Sequence, residues 1–362
     1  MRKLHKYITC VTCSIALAFS AQATSNEEVA AEEELDVKGI IFSHIGDAYE
    51  WHITTLGSTH ITVPLPVIVY SKDKGLNLFM SSKLHHGEYK GFYIAREGEY
   101  AGKLVERNAA GEEVRPLDFS LTKNATALII NSLIMIFIIM GMVRWYKRKP
   151  ARSVPGGFVG AMEMFIMDIN NNVIKSCIGP NYKRYAPYLL TVFFFILINN
   201  LMGLIPFFPG GASTTGNIAV TMVLALCTFF IVNLSGNKEY WKEIFWPDVP
   251  MWLKAFPLMP AIEFFGVFVK PFALMIRLFA NIMAGHTIVL SLVCLIFLTV
   301  AMGPAVNASM TVLSVLMSIF VYALELLVAY LQAYVFTILS AIFISLAQPT
   351  AHHKSKHIIE TK

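Results

Sequence analysis

Two apolar stretches in the C-terminal third of the sequence carry side chains that hydrocarbon tolerates poorly. The first, KPFALMIRLFANIMAGH, holds Lys270, Arg277, Asn281 and His286, and Glu263 precedes it. The second, ELLVAYLQAYVF, opens on Glu325 and reaches Gln332. An ionisable side chain at bilayer depth costs roughly 2.5–3.5 kcal/mol even on lenient scales, so its retention points to function. Arg277 stays charged at any physiological pH and cannot itself relay a proton. It can favour the ionised form of a carboxylate brought beside it and bar a cation from leaking past. His286 and Glu325 are of the opposite type: both take up and release protons, as a proton path requires. Gln332 and Asn281 can hydrogen-bond the guanidinium or ordered water. Glu263 and Lys270, nearer the cytoplasmic end, could line an inner route. Each residue also has a structural reading: a snorkelling Lys270, an inert His286–Glu325 pair, or a plain interhelix hydrogen bond from Gln332.

These residues need elements that hold them at depth. The segments they occupy, roughly 258–302 and 306–347, are apolar almost throughout. As continuous helices each would be about 60–67 Å long, against a hydrocarbon core of ~30 Å. Two strongly inclined antiparallel helices resolve the excess, with the bend at Gly303-Pro304-Ala305-Val306-Asn307. Arg277 and Gln332 then stand at nearly equal distances from the bend, as do His286 and Glu325. Glu263, Lys270, Arg277 and Ala284 recur every seven residues and share one helix face. His286, nine residues from Arg277, falls about half a turn away, a placement that suits two separate aqueous routes. Glu263 lies about 21 Å along the axis from Arg277. The working carboxylate for the arginine is therefore expected on another chain.

The composition agrees with a lipid-embedded chain. Of 362 residues, 56% are hydrophobic and 15% charged, where a soluble domain carries about 25% charge. A net charge of +5 does not argue for nucleic acid. Ala125 to Val143 is long enough to cross and is followed by RWYKRKPAR, which the positive-inside rule places in the cytoplasm. Phe158 to Ile178 has helical periodicity with a polar face, which predicts a helix lying flat on the cytoplasmic interface. Tyr185 to Phe208 crosses outward, Pro209-Gly210-Gly211 begins an external turn, and Asn217 to Leu234 returns. Lys238, Lys242 and Lys254 with Trp241, Trp246 and Trp252 suit a cytoplasmic interfacial loop. Asn199, Asn200 and Asn217 can serve either as interhelix contacts or as lining of a water path. The expected fold is an all-α integral membrane protein with five crossings.

The N-terminus reads as a secretory signal peptide over 1–23: a basic start, a short apolar stretch and Ala21-Gln22-Ala23. Residues 24–122 form a small exported (periplasmic) region, acidic at its start, with short strands such as HITVPLPVIVY. The membrane domain follows over 123–348, then a basic cytoplasmic tail over 349–362. The histidines of the exported region (His44, His52, His60, His85, His86) show no metal-ligand spacing, and no metal or cofactor is expected. Cys10 and Cys13 fall in the signal peptide, and Cys177, Cys227 and Cys294 read as packing residues.

The block R-L-F-x-N-x-x-A-G from Arg277 to Gly285, with Glu263, ELLVAYLQAYVF and the earlier NNLMGLIP, resembles the a subunit of F-type ATP synthases. The resemblance covers roughly 125–348. It implies a stator, in a bacterial inner membrane, against which a ring of c subunits turns, with peripheral-stalk b subunits as further partners. Two offset half-channels would carry protons to and from the ring's carboxylates. By the same resemblance Arg277 separates the half-channels, Asn281 and Gln332 are its polar neighbours, and His286 and Glu325 are the pair of the outer half-channel. Glu263 and Lys270 match positions towards the inner one. Some members carry the acid on the first long helix and the histidine on the second, the reverse of the order here. Some also have an acid where Gly203 stands. The sequence has no G-x-x-x-x-G-K-[ST] loop, so nucleotide binding is expected on other subunits. The alternatives are a secondary cation transporter, though no internal repeat is evident, and a non-conducting assembly scaffold.

Overall fold

A computed structural model describes Gly39 and residues 46–348, apart from 57–58, 73, 85–86, 96–97, 99, 108–111, 151–152, 206–207 and 247–257. The expected signal peptide and basic tail lie outside the described residues, as does His44. The chain divides into two compact units, one ending at Lys123 and one containing Asn124 onward.

The first unit is built of short antiparallel strands. β1 (Glu50–Leu56) and β2 (Thr59–Pro64) form a hairpin. β3 (Pro66–Ser71) lies between β4 (Gly75–Met80) and β8 (Leu117–Asp118). β5 (Phe92–Ile94), β6 (Leu104–Arg107) and β7 (Glu113–Val114) make a third small sheet. Strand alternation puts Val67 and Val69 inward with Phe79, Phe92 and Leu104. The Ser71–Gly75 turn closes because Gly75 adopts φ +65°, a region costly for other residues. The Asn77 side chain ties the turn down by donating to the Lys74 carbonyl at 3.1 Å. Tyr49, buried in this core, donates its hydroxyl to Asp118 and accepts from the Leu104 amide at 3.2 Å. Burial and the adjacent Asp118 carboxylate raise the Tyr49 hydroxyl well above its usual 10.0, so the neutral phenol persists.

The second unit is helical. α1 (Lys123–Arg148) is apolar between its terminal basic residues. α2 (Gly157–Asp168) runs on through a π-helical segment (Ile169–Lys175) and a last turn (Ser176–Ile178). Ile169, Val173, Ile174 and Ile178 of this stretch are buried, while Asn171, Asn172 and Lys175 are exposed, so the amphipathic pattern read from the sequence is real. Its apolar stripe packs into the main helical core. Gly179, at φ +75°, ends the stretch ahead of α3 (Tyr182–Leu204). α4 (Ile218–Leu234) and α5 (Lys238–Phe245) meet at a 103° bend. α6 (Leu258–Leu298) and α7 (Pro304–Ala347) are the two long helices, each continuous. Gly303 at φ +100° followed by Pro304 at the first helical position makes the bend between them. Thr299 donates to the Asn307 side chain across that bend at 3.0 Å.

Among the described residues four helices are long and apolar enough to cross a membrane, or up to five when the bent α4–α5 pair counts as one. The core gathers α3, α6, α7 and the π-helical segment around Phe193, Ile196, Leu274, Leu278 and Phe336.

The loop after Pro209, where a turn is expected, packs inward. Ala212, Ser213, Thr214 and Thr215 are buried, so the chain folds back against the helices before α4 begins. Each of the three polar residues in that run has a hydroxyl. Partners for two of them exist on α3, and these make the burial affordable.

A candidate ion-path site on the two long helices

α6 presents two different sides. Leu274 and Leu278 are fully packed, at 2% and 0% exposure, and fix the helix against the core. Arg277 and Asn281 are exposed on another side, flanked by Ala273, Ala280 and Ala284, also exposed. These positions follow the three- and four-residue spacing of one helical face. The arginine therefore stands in a strip of small side chains, which lets another helix approach closely. Among the described residues no carboxylate pairs with it.

Behind that strip the two long helices meet through polar groups. The Asn281 amide donates to the Gln332 carbonyl oxygen at 2.8 Å, and Gln332 is buried, at 4% exposure. The equal spacing from the bend thus gives the antiparallel register to within about a turn. The direct partner of Gln332 is Asn281, one turn beyond Arg277 on the same side of α6. Glu325 lies against Gly285: a Cβ built there would stand 2.2 Å from Glu325 Oε1 and 2.9 Å from its carboxyl carbon. The other carboxyl oxygen, Oε2, is buried without a hydrogen-bond partner among the described residues. His286, half-buried, turns towards α3, with Nε2 3.9 Å from a Cβ built on Gly203. Arg277 and His286 thus occupy different sides of α6, as their spacing implies. Glu325 and His286 are brought to adjacent levels, on either side of Gly285. Gly203, where some members of the resembled family have an acid, faces the imidazole.

Lys270 and Glu263 sit towards the other end of α6, both half-buried. The Lys270 ammonium is 5.9 Å from the centre of the Phe343 ring, within cation–π reach. Lys270, Asn233, Tyr240 and Thr228 line a cavity of about 20 Å³, enough for a water molecule. Tyr240 donates to the Asn233 side chain at 3.3 Å, and the Glu263 carboxylate is within electrostatic range of the phenol.

Several polar residues here escaped the sequence reading. Asn131 of α1 donates to Asn199 at 3.0 Å, and Thr214 donates to the same oxygen at 2.8 Å. Thr215 donates to Asn200 at 2.7 Å, and Asn200 donates to the Ala329 carbonyl of α7 at 3.2 Å. Asn199 and Asn200 are therefore interhelix contacts. Asn217 caps α4 by accepting from the Ala219 amide at 3.0 Å. Tyr322 reaches the Leu204 carbonyl at 2.8 Å, close in sequence to Gly203. Gly285 was visible within the A-G-H triplet, but its role depends on the facing carboxylate.

Residues 129–345, most of α1 and all but the last two residues of the helical hairpin included, match a family model described as ATP synthase A chain. The chain belongs to that family. An ATP synthase subunit a from Chlorobium phaeobacteroides is 40% identical over 280 residues, covering 74% of this chain and 78% of that one. One from Pelodictyon phaeoclathratiforme is 43% identical over 244 residues, 66% and 68% of the two chains. One from Myxococcus xanthus is 37% identical over 292 residues, 77% and 90%. All the candidate site residues of this ATP synthase A chain family member fall inside 129–345. Residues 40–119 match a separate family model, described as a domain of unknown function (DUF8433).

Proposed function

We propose that this chain is the stator a subunit of a rotary F-type ATP synthase, conducting protons through two offset half-channels to and from the carboxylates of a c-subunit ring. One observation carries the reading: Arg277 is a permanent charge left uncovered on a strip of alanines, on a helix too apolar for water. A cation there needs a partner of opposite charge from outside the chain. The alanines admit a helix closely enough to present a carboxylate. Arg277 then favours the ionised form of that carboxylate and keeps protons from passing straight between the half-channels.

The outer half-channel runs by His286 and Glu325, beside Gly203 and the buried loop. The Glu325 oxygen without a hydrogen-bond partner and the nearby imidazole supply exchangeable protons at neighbouring levels. The inner half-channel runs by Glu263 and Lys270, where the cavity beside Tyr240 has room for a water molecule. Asn281 and Gln332 hold the two long helices in register beneath the arginine. The chain makes no covalent bond change itself and binds no nucleotide. Peripheral-stalk b subunits hold it against the turning ring. It resides in a bacterial inner membrane, with the basic end of α1 in the cytoplasm and the first unit in the periplasm.

The test is ATP-driven acidification of inside-out membrane vesicles with Arg277→Ala, at matched assembly of the complex. Loss of pumping with the complex intact is the expected result. Pumping at the parental rate overturns the role given to Arg277.

A further inference from the structure

The sheet β4-β3-β8 of the first unit is apolar on both faces. Its inner face, with Val67, Val69 and Phe79, is the core of the unit. The outer face follows from the strand register. Tyr70 pairs with Leu76 on one side and Leu117 on the other, and Ile68 pairs with Leu78. The same register continues past β8: the Phe119 amide donates to the Ile68 carbonyl at 2.9 Å, and the Leu121 amide to the Pro66 carbonyl at 3.1 Å. Pro66 itself pairs with Met80. Three rows of three apolar side chains result. Six of the nine, Tyr70, Leu76, Leu78, Met80, Leu117 and Phe119, are exposed, from 42% for Met80 to 69% for Leu76. A strand with one solvated face ordinarily alternates apolar with polar. A continuous exposed apolar area on the order of several hundred Å² marks an interaction surface.

Chain connectivity says what covers it. β-pairing persists to Leu121, and α1 starts at Lys123. At about 3.5 Å per residue, Phe119 lies no more than about 14 Å from the start of a membrane-spanning helix, whatever the orientation of the unit. The β8 edge of the face is therefore within reach of the lipid head groups. Its composition suits that level, with Tyr70 and Phe119 among leucines, and the exposed Lys72 and Arg115 follow or precede the apolar rows. Asp118, between Leu117 and Phe119, turns to the opposite side and accepts from Tyr49. We propose that this sheet face lies on the lipid bilayer, as a monotopic anchor beside the first membrane helix.

The experiment uses the whole assembled complex in liposomes, with the five native cysteines replaced by serine. An environment-sensitive fluorophore is placed at Leu78→Cys and, as a reference in the same unit, at the exposed Lys103→Cys. Quenching by head-group spin-labelled phospholipid should be about threefold or more stronger at 78 than at 103, and quenching by aqueous iodide correspondingly weaker. Equal iodide quenching at both positions would mean a solvated face and overturn the proposal. Protection of position 78 from both quenchers would mean a protein cover and overturn it as well. If Leu78→Cys prevents assembly, Leu117→Cys on the same face gives the same readings. None of these outcomes depends on proton conduction.

Discussion

Two polar regions lie within the helical unit, and they treat their polar groups in opposite ways. Around Asn199 and Asn200, five side chains from α1, α3 and the folded-back loop give and receive hydrogen bonds inside the chain. Around Arg277, the charge stands on the outer side of α6 with no carboxylate among the described residues. The first region is held largely by this chain alone, because its buried amides and hydroxyls bond one another, with only Asn131 Oδ1 and Ser213 Oγ lacking a partner among the described residues. The second cannot be, because a charge without a partner is costly in lipid. What distinguishes a structural polar cluster from a functional one here is where the partner resides. The Glu325–Gly285 contact falls between these cases: the carboxylate is held closely, but one of its oxygens has no hydrogen-bond partner among the described residues.

The contrast can be broken most forcefully at Arg277. Arg277→Ala should abolish coupled pumping while leaving assembly and thermal stability near parental values, since the side chain packs against little. At the other region, Asn200→Ala should do the reverse. Losing both the Thr215 and the Ala329 partners leaves buried groups unsatisfied, at about 1–3 kcal/mol. The expected result is less assembled complex and a lower melting temperature, with pumping per assembled complex retained. If Asn200→Ala removes pumping at full stability, the region belongs to the path and the distinction fails.

Gly285→Ala sharpens the intermediate case. The added methyl meets the flexible end of Glu325, so the carboxylate moves and the helix does not. Alanine also gains up to about 1 kcal/mol of helix propensity over glycine. Pumping should fall several-fold with stability unchanged or raised, read by vesicle acidification and thermal denaturation of the complex. The smallest effect belongs to the first unit. The Tyr49 hydroxyl is raised in the folded state, so its contribution is complete below pH 10.0 and declines as pH rises above it. The protection of that unit's amides within the complex, relative to their base-catalysed intrinsic exchange, should fall above pH 10, and Tyr49→Phe should remove this part of the pH dependence without altering pumping.

Much of this arrangement was legible in the residues. The length of the two apolar segments, with Gly303 and Pro304 between them, sufficed to give a long antiparallel hairpin. The spacing of Arg277 and His286 gave their different sides, since helical azimuth depends only on residue count. The exact partner of Gln332 was not legible, because a register fixed by a bend is uncertain by about a turn. The folded-back loop was also hidden: Ser213, Thr214 and Thr215 read as a polar external turn until Asn199 and Asn200 are seen to receive two of them. The outer face of β4-β3-β8 was equally silent, because exposure of an apolar strand depends on what packs above it. Gly285 illustrates the limit well, as its need for a missing side chain comes from a residue forty positions away.

The central claim is that Arg277 both couples proton movement to the ring and separates two routes. The most direct measurement follows proton uptake driven by a potassium diffusion potential, together with ATP-driven pumping, in the same vesicles carrying Arg277→Ala. Coupled pumping should disappear while potential-driven proton leak persists or rises, because the two routes then communicate past an unguarded carboxylate. Vesicles that still pump at the parental rate, or that lose pumping and become proton-tight, would contradict that claim.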